Sequence, residues 1–183
     1  MKRAAVVALA VAAAVSALAQ PQASSNAGWK AMHEAVFDRP GLPTTATKEE
    51  REIAQALWAT ELSARERTSA GLMSAYALVG DVREGAKRIV FSMYASGDDP
   101  SCDAAPNGAD ASDIFVRCRM RVASWPPSGA PAASLPGYCM IFAASETNSR
   151  IEYRYDRSAQ TLQFRTIQFG KVVPSCSRSL KLD

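Results

Sequence analysis

The chain of 183 residues contains one histidine, His33. A Ser-His-Asp triad therefore has a single candidate base, and a histidine-rich zinc site is excluded. There is no CxxC pair, no GxSxG, SxxK or HExxH motif, and no phosphate-binding glycine loop. The sequence thus predicts no metal site and no cofactor. Chemistry built on a pair of carboxylates needs none of these motifs and stays open. Charge of one sign is missing too: 21 Lys and Arg stand against 18 Asp and Glu. No repeat is visible.

One apolar run is present, at the N-terminus. Lys2 and Arg3 precede an unbroken small-residue stretch, Ala4 to Ala14, and Ala17-Leu18-Ala19 leads into Gln20-Pro21. This is the three-part build of a secretory signal peptide, cleaved after Ala19. The run ends at Ser16, short of the roughly 20 residues a span requires. No second run of spanning length follows. No cysteine lies near the cleavage point, so no lipid would be attached there. Removing residues 1–19 takes away two basic residues and no acid, leaving 19 basic against 18 acidic. A balance this even gives no overall field to gather nucleic acid or anionic lipid. The expectation is a periplasmic or secreted bacterial protein with no nucleic-acid partner and no membrane span after cleavage.

Cys102, Cys118, Cys139 and Cys176 all fall in the second half. In an oxidising compartment an even count reads as disulfides. The favoured pairing is Cys102–Cys118 with Cys139–Cys176, worth about 3 and about 4 kcal/mol by loop length. Cys118–Cys139 with Cys102–Cys176 is the main competitor.

The remaining 164 residues suit one domain. Residues 20–28 read as a flexible leader. Trp29 to Phe37 (WKAMHEAVF) places Trp29, Met32 and Val36 at helical spacing, so a short helix is predicted, with His33 solvent-facing or half-buried beside Trp29. Thr47 with Glu50 forms a capping box, which opens a helix expected to run to about Arg67. Residues 68–82 fit helix or strand, with helix preferred. From Lys87 the period becomes two. Strands are predicted over 88–94, 113–123, 138–144, 150–157 and 161–169, the apolar 138–144 being central. The fold expected is α+β: N-terminal helices (about 29–82) packed on a C-terminal antiparallel sheet of about five strands (about 87–183), stapled by disulfides. Long loops over 96–112 and 124–137 separate the strands.

Candidate sites follow from these elements. Asp98, Asp99, Asp103, Asp110 and Asp113 make one loop acidic, but their spacing is not that of a calcium hand. Arg117, Arg119 and Arg121 form a row on one strand face, with Phe115 and Trp125 flanking it. Arginine with aromatics is the composition of interface centres. Joined by Arg154 and Arg165, the row would make a basic binding patch; paired with Glu152 and Asp156, it would be a solvent face. Tyr138, Met140, Phe142, Tyr153, Tyr155, Phe164 and Phe169 read as core, or else as the lining of a pocket. Size, export and cysteine use are those of small inhibitors, immunity proteins and envelope-accessory proteins. The expectation is a non-catalytic binding protein for a protein or envelope component. A carboxylate hydrolase using Asp98, Asp99 or Glu152, and a small-ligand carrier, are the alternatives.

Overall fold

The computed structural model describes residues 28–37, 44–68, 75–96, 102, 115–128, 132–141 and 148–182. The proposed signal peptide and the leader up to residue 27 lie outside them, as do the five acidic-loop aspartates and Phe142. The strands are β1 (Lys30–Ala31), β2 (His33–Val36), β3 (Tyr76–Glu84), β4 (Lys87–Ala95), β5 (Val116–Ser124), β6 (Ala133–Met140), β7 (Arg150–Asp156), β8 (Thr161–Gln168) and β9 (Lys171–Lys181). Two helices, α1 (Lys48–Leu57) and α2 (Ala59–Thr68), lie between β2 and β3. The strands make two antiparallel sheets, ordered β1-β7-β8-β9 and β2-β3-β4-β5-β6.

This overturns the α+β expectation. The protein is mostly β, with two helices of ten residues each. The stretch Trp29 to Phe37 is not a helix. Nine residues are too few to hold a helix alone, and sheet pairing is available on both sides: β1 pairs with β7, and β2 pairs with β3. Between them Met32 is 3 % exposed, and its N–H donates to the Ile151 carbonyl at 2.9 Å. The chain thus passes from one sheet to the other at a buried corner. The preference for helix over 68–82 fails over 76–82, because β3 pairs along its whole length with β4, from Tyr76↔Ala95 to Glu84↔Lys87; residues 69–74 lie outside the described ones. Gly85 makes that hairpin possible. It takes φ +58° at the first of the two turn positions, where a residue with a side chain would be strained.

The inner faces of the two sheets share one core. Leu78, Phe91, Met93 and Met120 come from the five-stranded sheet; Ile151, Tyr153, Leu162 and Phe164 come from the four-stranded one. Phe91 packs edge-on against Tyr153, centroids 4.7 Å apart, and against Phe164 at 5.1 Å. The aromatic residues expected to be core or pocket are mostly core, although Phe169 is 48 % exposed.

The outer face of the five-stranded sheet is covered by α1. Ile53, Ala54 and Trp58 are fully buried against Ala77, Val79, Val90 and Tyr94. The Trp58 indole N–H donates to Ser92 Oγ at 2.9 Å, and Ser92 Oγ donates to the Leu78 carbonyl at 2.8 Å, so this polar pair is satisfied inside the layer. The capping box forms: the Thr47 N–H donates to Glu50 at 2.8 Å, and the Glu50 N–H donates to the Thr47 hydroxyl at 3.2 Å. The single helix expected to reach Arg67 is instead broken at Trp58, whose φ of −117° leaves the helical range.

Two further strands were not expected in full. β6 starts inside the proline-rich 124–137 segment, and it lies at an edge rather than at the centre. It carries apolar residues on both faces because Tyr138 packs on Phe164 while Cys139 bonds across to β9. β9 shows no alternation, since only Cys176 along it is buried. The disulfides are Cys102–Cys118 and Cys139–Cys176, the pairing expected from sequence. The second joins the outermost strands of the two sheets, and two disulfides are consistent with an oxidising, exported location.

Glu50 does more than cap α1. Its second oxygen accepts from His33 Nδ1 at 2.7 Å, which ties β2 to the helix. Burial pushes this carboxyl up, yet the bonds from Thr47 and His33 outweigh it and hold the group below its ordinary value. A carboxyl lowered by folding stabilises above its unfolded pKa and loses that contribution as pH falls through the folded one. Wild type should therefore lose stability relative to Glu50→Gln as pH drops past 4.5, measured by urea unfolding across pH 7 to 3. A stability difference that stays constant with pH would refute the role.

Candidate functional site

β5 carries the arginine row, but the structure does not make one surface of it. A register shift falls between Cys118 and Met120. Phe115 is 4 % exposed within the shared core, so it cannot flank a surface patch. Arg119 is exposed. Arg117 is half-buried, with its Nε enclosed and without an acceptor.

Arg121 turns into the helix layer. Its guanidinium donates to the Leu57 carbonyl and to Glu61, at 2.9 Å and 2.5 Å for the latter, and stacks over Trp58 at 4.2 Å. The logic is local: Leu57 ends α1, and the last carbonyls of a helix lack internal partners and attract a cation. Arg121 caps the break from a neighbouring strand. Beside it runs a groove of about 390 Å³ lined by Leu57, Thr60, Arg121, Trp125 and Pro127. Arg121 and Trp125 thus share a site, which Arg117 and Arg119 do not line.

Arg154 and Arg165 sit on neighbouring strands, but in the other sheet. The β7–β8 register sets Glu152 opposite Arg165 and Arg154 opposite Gln163. Asp156 holds the connecting turn by accepting from the Ser158 and Ala159 amides, which keep its carboxyl below the usual range, the Ser158 hydroxyl bond being the largest cause. β1 pairs alongside β7 with Lys30 opposite Tyr153. Trp29, just before β1, is thereby laid over this outer face. The Arg165 guanidinium lies 4.2 Å and that of Arg154 4.8 Å from its ring centroid. Arg150 and Arg165 each donate to Glu152 at 2.7 Å, and the Arg154 Nε donates to Gln163 at 2.6 Å. Trp29, Gln163, Arg165, Ser177 and Ser179 border a depression of about 290 Å³. Arg178 also borders it, but the β8–β9 register sets it opposite Phe164 on the inner face, and its guanidinium donates to the Ser175 and Ser177 carbonyls.

This cluster holds three arginines, Arg150, Arg154 and Arg165, with one carboxylate and one tryptophan. Two long-range facts make it: the β7–β8 register and the β1–β7 pairing. The hairpin was legible from RSAQ and the flanking alternation; Trp29 was missed because its segment reads as helix. Glu152, a candidate catalytic carboxylate, is engaged by two arginines. Among the described residues no group of three His, Cys, Asp or Glu could hold a metal ion, and no helix is long and apolar enough to cross a membrane.

By architecture the chain is a disulfide-bridged antiparallel β protein of two facing sheets with one helical layer. Comparison with known proteins finds no matching family model, no matching curated protein and no matching solved structure.

The two arginine environments separate by mutation. Arg121→Ala removes a cap, an ion pair and a stack, and should cost about 1–3 kcal/mol. Arg119→Ala touches no such feature and should stay within about 0.5 kcal/mol. Equal losses in urea unfolding would contradict the assignment of Arg121 to the structure of the helix layer.

Proposed function

We propose that the chain is an exported, non-catalytic binding protein that recognises an acidic protein surface through the outer face of its four-stranded sheet. The single observation behind this reading is the excess of positive charge around Trp29: Arg150, Arg154 and Arg165 against Glu152. Arginine and tryptophan are the residues that most often carry binding energy at interface centres. Planar guanidinium groups also match carboxylates in two-pronged geometry. The ion pairs to Glu152 and the bond to Gln163 restrain these long side chains, which lowers the entropy lost on binding.

The carrier alternative has less support, because Tyr138, Tyr153 and Phe164 pack in the core with Phe91. The hydrolase alternative finds Glu152 already neutralised by arginine.

The test is affinity capture on the immobilised, oxidised chain from residue 20, using envelope extract of the source organism. A stoichiometric acidic protein should bind at low salt and leave at high salt, because charge-steered contacts are screened. Arg150→Glu with Arg154→Glu should abolish capture, with urea unfolding checking that the variant is still folded. Capture that survives this double charge reversal would refute the proposed face, and capture of an acidic polymer instead of a protein would refute the partner class.

A further inference from the structure

The two sheets meet on one side at the Met32 corner. On the other side β6 and β9 are the terminal strands of their sheets. Neither pairs with the other: among the described residues β6 pairs with β5 and β9 with β8. They are tied at one level by Cys139–Cys176. Beside that bond the Thr166 hydroxyl donates to the Cys139 carbonyl at 3.1 Å, satisfying one acceptor on the open edge. Four residues along each strand from its cysteine, about 13 Å at strand rise, stand Leu135 on β6 and Leu180 on β9. There the seam holds an open groove of about 380 Å³.

We infer that this seam binds one single-chain amphiphilic anion, a fatty acid by chemical class, with its tail against the inter-sheet core and its head at the lysine rim. The floor is apolar. Ile89 and Val122 belong to the shared core at 5 % and 8 % exposure, and Leu135 and Leu180 pack against that core from the two edges. The rim holds Lys87 and Lys181, both exposed, and the described lining contains no carboxylate. The volume lies within the range of small-molecule sites, which favour the mouths of closed or nearly closed β structures.

The obvious competitor is an extended peptide added as a strand between the two edges. The β6 edge resists it. Pro136 sits in β6 beside Leu135 and removes a backbone donor from the strand there, and on β9 the proline, Pro174, lies beyond the disulfide. What the seam offers is apolar side-chain surface, which suits an acyl chain. This site lies away from the Trp29 cluster, so either can fail without the other.

The experiment is a titration of the oxidised chain with palmitate and, in parallel, with hexadecanol, followed by native mass spectrometry. One palmitate per chain should bind saturably. Leu180→Trp and Leu135→Trp, each filling the groove, should weaken both ligands by about tenfold or more. Lys87→Ala with Lys181→Ala lies on the surface and should leave folding intact. It should weaken palmitate by about fivefold, the worth of two exposed ion pairs, and leave hexadecanol unchanged. Absence of saturable palmitate binding by the folded wild-type chain would overturn the inference. Unchanged binding in both tryptophan variants would also overturn it, as would equal loss of both ligands in the lysine variant.

Discussion

The close approach of Phe91 to Gly80 is the contact on which this molecule rests. A Cβ at position 80 would stand 2.5 Å from Phe91 Cε2 and 2.9 Å from Tyr153 Cε1. Glycine in mid-strand normally weakens a sheet. Here its missing side chain lets the Phe91 ring lie down across β3 and meet Tyr153 and Phe164 of the opposite sheet edge-on. Those edge-to-face contacts join two sheets that share no backbone ladder except at their common corner. Interiors pack close to crystal density, so a space this small is either used fully or lost.

Everything outside the core follows from how the two sheets are left once that contact is made. The five-stranded sheet has a second apolar face, and α1 with Trp58 covers it. Covering it breaks the helix at Trp58, and Arg121 is drawn in to cap the break. The four-stranded sheet has no helical cover. Its outer face carries charged residues instead: Glu152 pairs with Arg150 and Arg165, Trp29 lies over Arg154 and Arg165, and Glu152 and Arg165 are themselves buried. Arginines therefore have different fates: Arg121, facing the helices, and Arg165, buried beside Trp29, are structural, while Arg150 and Arg154 keep partial exposure on the outer face.

The parts of the fold that are local were legible in the chain. Thr47 and Glu50 announce the helix start because a capping box is made by residues three apart. β5 shows its alternation because Cys118, Met120 and Val122 are buried while Arg119 and Arg121 are not; β4 is buried on both faces, and its alternation separates the inter-sheet residues Phe91 and Met93 from Val90, Ser92 and Tyr94 under the helix layer. The cysteine pairing followed from which strands and loops the residues occupy. What stayed hidden is non-local. Trp29, Met32 and Val36 satisfy a helical period and a strand corner equally well, and only the presence of β3 and β7 decides. β9 is an edge strand with a single buried residue, so it has no pattern to show. Membership of two sheets rather than one is not written in any window of residues. The site shared the same fate: the β5 arginines were visible as a row, but the cluster around Trp29 depends on β1 reaching β7.

The most direct test of the two-sheet packing is the unfolding free energy of Gly80→Ala in urea, with the disulfides intact. The added methyl has no room, so the account predicts a loss of about 1–3 kcal/mol, the cost of overpacking a filled core. The m-value should stay unchanged, because the same surface is still exposed on unfolding. Alanine is the better strand residue on backbone grounds alone. A variant as stable as wild type, or more so, would show that Phe91 does not cross Gly80 and would contradict the facing of the two sheets.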